Sequence, residues 1–253
     1  MKGFEPATQS KLLYIELVGE EKSGKTDFGM WAPETVAHLD LENRGGIIRS
    51  EIAERKILTK RYLTGDFVDV TMKSGLGSTL KDQCAKYLTE IDNDFKDACI
   101  DRDVRTIIMD GGSTYFRLCT IGLLGAMGLD ADKGYWYGVR NQHIETLFTF
   151  ARRHDKIVIW THRTKELWAK SPDTGKREST GEFTREGYEK MGNVCDIGLF
   201  MRLDAIEKVF KAKVMYSTAN PLMWTGEELD LPTENSYAEL MSLLTDTEQS
   251  EWQ

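Results

Sequence analysis

Apolar residues in this chain fall into short runs separated by stretches of helical spacing, and the two kinds of segment alternate over most of its length. The run Leu12-Leu13-Tyr14-Ile15-Glu16-Leu17-Val18 is mostly apolar and ends at a glycine, as a buried strand does. A helix is expected after the glycine loop, through Trp31 to about Ala37, and Val36 to Leu41 leads into a second strand end at Asp40-Leu41-Glu42. Gly45 to Arg55 reads as helix, and the alternation in Phe67-Val68-Asp69-Val70-Thr71 predicts a strand. Leu80, Cys84, Tyr87, Leu88, Ile91 and Phe95 recur at helical spacing and predict a helix from Leu80 to Ala98. Val104 to Asp110 is the clearest strand, Tyr137 to Arg153 a long helix, and Lys156 to Thr161 another core strand. Ile197 to Leu203 and Val209 to Tyr216 then follow one another as strands with no helix between them. The pattern predicts an α/β fold with a mostly parallel central sheet flanked by helices and antiparallel edge strands near the C-terminus.

Two stretches lack a regular pattern, Leu118 to Gly134 and Lys165 to Lys190, and long patternless stretches in compact domains are usually functional or disordered. A chain of 253 residues is short enough for one α/β unit, so residues 1–246 are expected to form a single domain, with 247–253 a polar tail that frays.

Composition narrows the partners. The net charge of −8 excludes a protein that grips nucleic acid with a basic field over its whole surface, so any such contact must lie on local loops. No apolar run is long enough to span a bilayer, and Met1-Lys2-Gly3-Phe4-Glu5-Pro6 lacks the apolar region of a signal peptide. Cys84, Cys99, Cys119 and Cys195 lie far apart without a C-x-x-C pair, which predicts buried structural thiols and a cytoplasmic location.

The chemistry concentrates after the first strand. Gly19-Glu20-Glu21-Lys22-Ser23-Gly24-Lys25-Thr26 fits G-x-x-x-x-G-K-[ST] at every fixed position, between a predicted strand and a predicted helix. The glycines let successive backbone N–H groups turn toward phosphate oxygens, Lys25 reaches the β- and γ-phosphates, and the Thr26 hydroxyl is a Mg2+ ligand. Asp110, which ends the apolar run Thr106 to Met109 and precedes Gly111-Gly112-Ser113-Thr114, supplies the second acidic group that a Mg2+-bound ATP needs. Glu42, in Leu39-Asp40-Leu41-Glu42, is placed to orient and deprotonate a water that attacks the γ-phosphate. The alternative for Glu42 is an acid at a helix start, favoured by the helix dipole.

With this order of motifs the chain resembles the RecA family of recombinase ATPases, which run from a P-loop through a strand ending in Asp-x-Glu and a Walker B aspartate to a strand ending in a polar sensor. The last element here is Ile157-Val158-Ile159-Trp160-Thr161-His162-Arg163, and His162 stands where the family usually has a glutamine that senses the γ-phosphate. The resemblance gives His162 that role; an ordinary satisfied histidine at a strand end is the alternative. Lys208-Val209-Phe210-Lys211-Ala212-Lys213-Val214, followed by Met223-Trp224-Thr225-Gly226, looks like the family's K-V-x-K-x-K strand. The resemblance implies that Lys211 and Lys213 cross a subunit boundary to a neighbour's γ-phosphate, the alternative being a solvated basic face on an edge strand.

The resemblance covers about Leu12 to Gly226. Without an obvious N-terminal polymerisation domain or the C-terminal domain of full-length RecA, the chain is most similar to compact, phage-encoded, single-domain RecA-like (AAA-type) nucleotide-binding or single-strand annealing proteins. Tyr135-Trp136-Tyr137-Gly138 and Trp160-Thr161-His162 fit that group's pattern. The resemblance implies an ATP- and Mg2+-dependent ATPase of phage recombination, repair or annealing, a homo-oligomer in the host cytoplasm that holds single-stranded DNA on loops 118–134 and 165–190. In the second loop Lys165, Lys170, Lys176, Arg177, Arg185 and Lys190 are balanced by acids, and Trp168, Phe183 and Tyr188 could stack on bases at about 1–3 kcal/mol each. The first carries Leu123, Leu124, Met127 and Leu129 and suits a partner subunit. Two other readings stay open: a nucleoside or small-molecule kinase with Lys165 to Arg185 as a lid, and a nucleotide-dependent assembly switch without DNA, which the negative charge favours.

Overall fold

The structure, a computed structural model, describes residues 13–43, 50–62, 78–127, 137–171, 175–219, 221–231 and 236–253. In chain order the strands are β1 (Tyr14–Gly19), β2 (Val36–Asp40), β3 (Ile57–Arg61), β4 (Thr106–Asp110), β5 (Ile157–His162), β6 (Thr164–Lys170), β7 (Arg177–Arg185), β8 (Ile197–Asp204), β9 (Val209–Ser217) and β10 (Glu228–Leu231). The helices are α1 (Lys25–Met30), α2 (Ser50–Ala53), α3 (Ser78–Ile100), α4 (Gly112–Leu118), α5 (Tyr137–Arg153), α6 (Pro221–Trp224) and α7 (Ser236–Thr245). The main sheet runs β10-β9-β8-β1-β5-β4-β2-β3. Its members from β3 to β8 pair in parallel, while β8, β9 and β10 pair antiparallel, as the strand pattern of the last third predicts.

Alternation along each strand sends neighbouring side chains to opposite faces of the sheet. Tyr14, Leu39, Ile107, Met109, Val158 and Trp160 pack on one face with Leu88, Ile91 and Phe95 of α3, Tyr115 of α4 and Ile144 and Phe148 of α5. Ile15, Leu17, Ile108, Ile159 and Leu199 pack on the other face with Phe28 and Met30 of α1 and Tyr237, Met241 and Leu244 of α7. Each side chain of this size removed from water contributes roughly 1.5–3 kcal/mol, so the two layers fix the strand register and with it the strand ends. The four cysteines are free and buried. Among the described residues no helix is long and apolar enough to cross a membrane.

Several sequence expectations are corrected. The first helix stops at Met30 instead of continuing toward Ala37, because Pro33 disfavours helical backbone in the residue before it. The stretch 118–126 is helical rather than a loop: α4 continues as a π turn over Cys119–Leu123 and a further turn over Leu124–Ala126. Cys119, Ile121 and Leu124 are buried. Gly122 lets this segment close on α3, since a Cβ there would lie 2.7 Å from the backbone nitrogen of Ala85. An apolar, close-packed helix of this kind is core, so 118–126 offers no loop for DNA.

Within 165–190 the described residues include two strands, because β6 and β7 pair antiparallel apart from the main sheet. Of the helix expected over 45–55, the described part is helical only at Ser50–Ala53. The strand expected at 67–71, and Leu129, Tyr135 and Trp136, lie outside the described residues.

The C-terminal residues pack instead of fraying. Gln249–Trp252 forms a 3-10 turn, and the Trp252 indole, 3% exposed, donates through Nε1 to Thr247 Oγ1 at 2.7 Å. Arg105 Nη2 donates to the Glu251 carbonyl at 2.9 Å. Replacing Trp252 with Ala is expected to lower unfolding free energy by about 3 kcal/mol in a urea titration. A change near zero would show that the tail adds nothing to the core.

Candidate functional site

The carboxyl ends of β1, β5, β4 and β2 stand side by side, the edge of an open α/β sheet where ligands are ordinarily received. The loop from Gly19 to Gly24 leaves β1 and enters α1 at Lys25. Lys22 and Gly24 both have left-handed backbone, with φ of 63° and 85°. At Gly24 only glycine fits, because a Cβ would also fall 2.8 Å from the Phe210 ring. Lys25 curls back over this loop, its Nζ donating to the carbonyls of Gly19 (2.8 Å) and Glu20 (2.6 Å) and to Ser23 Oγ (3.1 Å). Burial lowers the proton affinity of the ammonium, the carboxylates of Glu42 and Asp110 work against that, and the charge of Arg163 adds to it.

Asp110 is the hub of the site. Thr26 Oγ1 donates to its Oδ2 at 2.8 Å, and Thr161 Oγ1 donates to its Oδ1 at 2.8 Å. His38 Nε2 lies 3.3 Å from Oδ2, and the Gly111 N–H donates to Thr161 Oγ1 at 2.9 Å. Burial alone would raise the pKa of Asp110, but the bond and charge of His38 and the hydroxyls of Thr161 and Thr26 outweigh it and hold the carboxyl below its ordinary value. An ionised carboxylate beside a threonine hydroxyl is the hard oxygen pair that Mg2+ prefers. Among the described residues no group of three or more His, Cys, Asp or Glu is placed to hold a metal, so an ion here would depend on Thr26, Asp110 and its own phosphates or waters.

Glu42 lies at the same edge, its Oε1 accepting from Arg163 Nε at 2.7 Å. His162 does not join it. On β5 Thr161 faces Asp110, so His162 turns to the opposite face of the sheet, where it is fully buried. Its Nδ1 lies 3.1 Å from the Glu186 carbonyl, which can only accept, so Nδ1 carries the proton. Burial pushes its pKa down to about 3, helped by the charges of Arg185 and Lys25.

Beside His162 a charged cluster ties β1 to the root of the hairpin. Glu16, buried on β1, lies 3.1 Å from Arg185 Nε and accepts from the Tyr216 hydroxyl at 2.6 Å. Its Oε1 is 3.9 Å from His162 Nε2. Burial raises the Glu16 pKa to about 7 against the pull of Arg185 and Tyr216.

The remaining candidates lie elsewhere. Lys211 is engaged within its own chain by Glu207 (2.6 Å), Asp230 (3.5 Å) and Asp204 (3.6 Å), whereas Lys213 is exposed on the same strand. Trp168 and Phe183 are half exposed on the hairpin, but Tyr188 is buried, with its hydroxyl bonded to Glu145, and cannot stack on a base.

A cleft of about 140 Å³ beside the 19–24 loop is lined by Trp31, Phe210, Met201 and Leu231, with Asp27 and Lys208 among its polar residues. A larger one, about 380 Å³, opens between α4, α5 and the hairpin root, with Arg117, Arg140, Lys165 and Lys190 facing Glu186 and Glu189. Arg140, 7% exposed, lies with its guanidinium 3.8 Å from the centre of the Phe116 ring and 4.3 Å from that of Tyr137.

His38, Thr161, Glu16 and Arg163 are absent from the sequence-level candidates. For the first two the signal is positional, since residues two apart on a strand share a face, and His38 is two before Asp40 on the strand beside Asp110. Glu16 is a lone acid in an apolar strand, which a sequence can flag as unusual but cannot pair.

Among comparisons with known proteins, no protein-family model matches the chain and no curated protein matches it. Among solved structures, the RadB recombinase is similar over 88% of both chains with a TM-score of 0.52 and 14% identity. A KaiC-like protein from the hyperthermophilic archaeon Pyrococcus horikoshii covers 86% of this chain and 84% of its own, with a TM-score of 0.42 and 14% identity.

Because Glu16 binds its proton more tightly when folded, its contribution to stability is complete below its ordinary value of 4.5 and is lost as pH rises through about 7. Urea titrations at about pH 5 and about pH 8 should show Glu16→Gln gaining on the parent by on the order of 3 kcal/mol at the higher pH. Equal differences at both pH values would mean that Glu16 does not titrate in this window. Whatever the site binds, its scaffold is established: the chain has the RecA-like fold that its order of motifs leads one to expect.

Proposed function

We propose that this chain is a Mg2+-dependent ATPase of the RecA-like kind that acts on single-stranded DNA as an oligomer, in recombination, repair or strand annealing. The observation that carries the reading is the convergence of Lys25, Thr26, Asp110 and Glu42 at the edge formed by four adjacent strand ends. In this reading Lys25 exchanges the carbonyls of Gly19 and Glu20 for the β- and γ-phosphates, since a phosphate oxygen binds an ammonium more strongly than a neutral carbonyl does. Thr26 and Asp110 would hold Mg2+, which would supply positive charge against the phosphates. Glu42 takes the proton of the attacking water. Loop residues 19–24 supply N–H donors, and the cleft lined by Trp31 and Phe210 takes the base.

Support for an anionic second partner comes from the cleft at the hairpin root. Four cations face two acids there, a local positive balance in a chain of net charge −8. The nearby Trp168 and Phe183 are exposed for stacking. The formation of a regular two-stranded hairpin by β6 and β7, rather than a loose basic lid, favours this reading over a kinase. For the trans arrangement Lys213 is the better placed of the two lysines, because reaching a neighbour would require Lys211 to leave three carboxylates.

Lys25→Ala is expected to weaken nucleotide binding by roughly 10- to 100-fold, measured by calorimetry. Glu42→Gln should keep binding and slow turnover by about 100-fold or more, and undiminished hydrolysis would remove Glu42 from the mechanism. ATP hydrolysis measured with and without single-stranded DNA over a salt series tests the second partner. Stimulation that fades as salt rises is the expected result, and indifference to DNA at every salt concentration would favour the assembly switch.

A further inference from the structure

Glu16 is fully buried on β1, and the chain that leaves the hairpin runs across it. Arg185, at the end of β7, brings its Nε to 3.1 Å from Glu16 Oε1. The Glu186 carbonyl bonds the His162 ring, and a Cβ on Gly187 would fall 2.9 Å from His162 Nδ1. The same root is tied to the end of β5 by the Glu186 N–H, which donates to the Arg163 carbonyl at 2.7 Å. The Arg185 side chain is 16% exposed while those of Glu16 and His162 are not exposed at all, so lifting residues 185–187 opens Glu16 to water.

The polar atoms under this cover suit a neutral carboxyl better than a carboxylate. His162 carries its proton on Nδ1, so Nε2 presents a lone pair, and it lies 3.9 Å from Glu16 Oε1. Both atoms lack a hydrogen-bond partner, although the Arg185 charge is close to Oε1. While Glu16 is ionised, two acceptors face each other across that gap. A proton on Oε1 makes one of them a donor and gives His162 Nε2 a bond, and the Tyr216 hydroxyl can go on donating to Oε2. The titratable and charged groups around Glu16 are Arg185 from β7, His162 from β5, Tyr216 from β9 and the Cys195 thiol ahead of β8, with Lys25 of α1 acting on His162. Burial first, and then the charge of Glu16, pushes the Cys195 thiol and the Tyr216 hydroxyl up. His162 is held down at about 3, so of these groups only Glu16, raised by burial to about 7, changes charge near neutrality.

We propose that Glu16 is a proton-controlled latch on the hairpin: neutral, it keeps residues 185–187 seated over β1, and ionised, it favours water and lets the root open. The direction follows from linkage. Lifting the root exposes Glu16 and brings its pKa back toward 4.5, so the seated state binds the proton more tightly. The contribution of Glu16 to seating is therefore fully present below 4.5 and is lost as pH rises through about 7. The attraction of Arg185 for the carboxylate works the other way but is the smaller effect, since the buried group stays above its ordinary value. Nucleotide and DNA play no part in the latch, so it stands whether or not the chain is an ATPase.

The test is residue-resolved hydrogen exchange of the full chain from about pH 5 to about pH 9, read at the Glu186 amide as a protection factor, which removes the intrinsic pH dependence of exchange. In the parent, protection at Glu186 should fall roughly 10-fold between about pH 6 and about pH 8. Glu16→Gln, with the same shape and no charge, should hold the parent's acid value throughout. Arg185→Gln, which removes the charge that pulls the Glu16 pKa down, should move the fall to higher pH. A flat profile in the parent, or a fall that persists in Glu16→Gln, would overturn the latch. So would a fall confined to amides of β4 and β5, because Glu16 would then ionise only when the whole domain unfolds. If Glu16→Gln does not fold, Arg185→Gln decides alone: an unmoved midpoint removes Glu16 as the titrating group.

Discussion

Everything at the strand ends depends on how Asp110 is kept ionised inside the protein. A buried carboxylate without partners would take up a proton, and the site would lose the negative charge that faces Thr26. Three separate elements prevent this: Thr26 from α1, Thr161 from β5 and His38 from β2 each bring a polar hydrogen or a ring nitrogen to it. The bonds also join those elements to β4 across the sheet, so the group that sets the charge also fixes the start of α1 against β4. The parallel register matters here, because Asp40 pairs with Asp110 and His38 with Ile108, which leaves His38 on the same face as the carboxylate.

The other face of the same strands carries a second polar cluster with a different physical character. Glu16, His162, Arg185 and Tyr216 are packed together under the hairpin, and their bonds are incomplete: Glu16 Oε1, His162 Nε2 and Arg185 Nη1 have no hydrogen-bond partner. A half-satisfied buried network is a weak point in stability, since each unmet group carries a desolvation penalty. Glu16 projects from β1, the strand that runs into the 19–24 loop, and Arg185 ends β7, so the cluster joins that strand to the root of the hairpin.

Legibility in the sequence followed burial. The strands β1, β4, β5, β8 and β9 are visible as apolar runs because their side chains are in the core, and the long helices α3 and α5 are visible through their amphipathic spacing. The β6–β7 hairpin is invisible for the opposite reason, because both of its faces are largely exposed and no apolar period marks it. The edge strand β3 is hidden in the same way by Thr59, Lys60 and Arg61. The segment 118–126 misleads because it is apolar nearly all round, which removes the stripe that identifies a surface helix. In the site, the 19–24 loop and Asp110 stand out because the residues fall at a fixed spacing. Arg163 and His38 depend on which face a strand residue takes relative to a neighbour far away in sequence.

The hairpin is a two-stranded ribbon with few buried contacts, attached to the body mainly through Arg163, Arg185 and Glu186. Such a ribbon is marginal on its own in water and opens at a free energy well below that of the whole domain. It therefore behaves as a tethered arm whose order is set from outside as much as from within. A partner that grips it must supply the entropy of holding it still, so affinity will fall short of what the contact area promises, while release stays fast. Anything docked there would sit on a ribbon that opens on its own, and so would be held less firmly than on the main sheet.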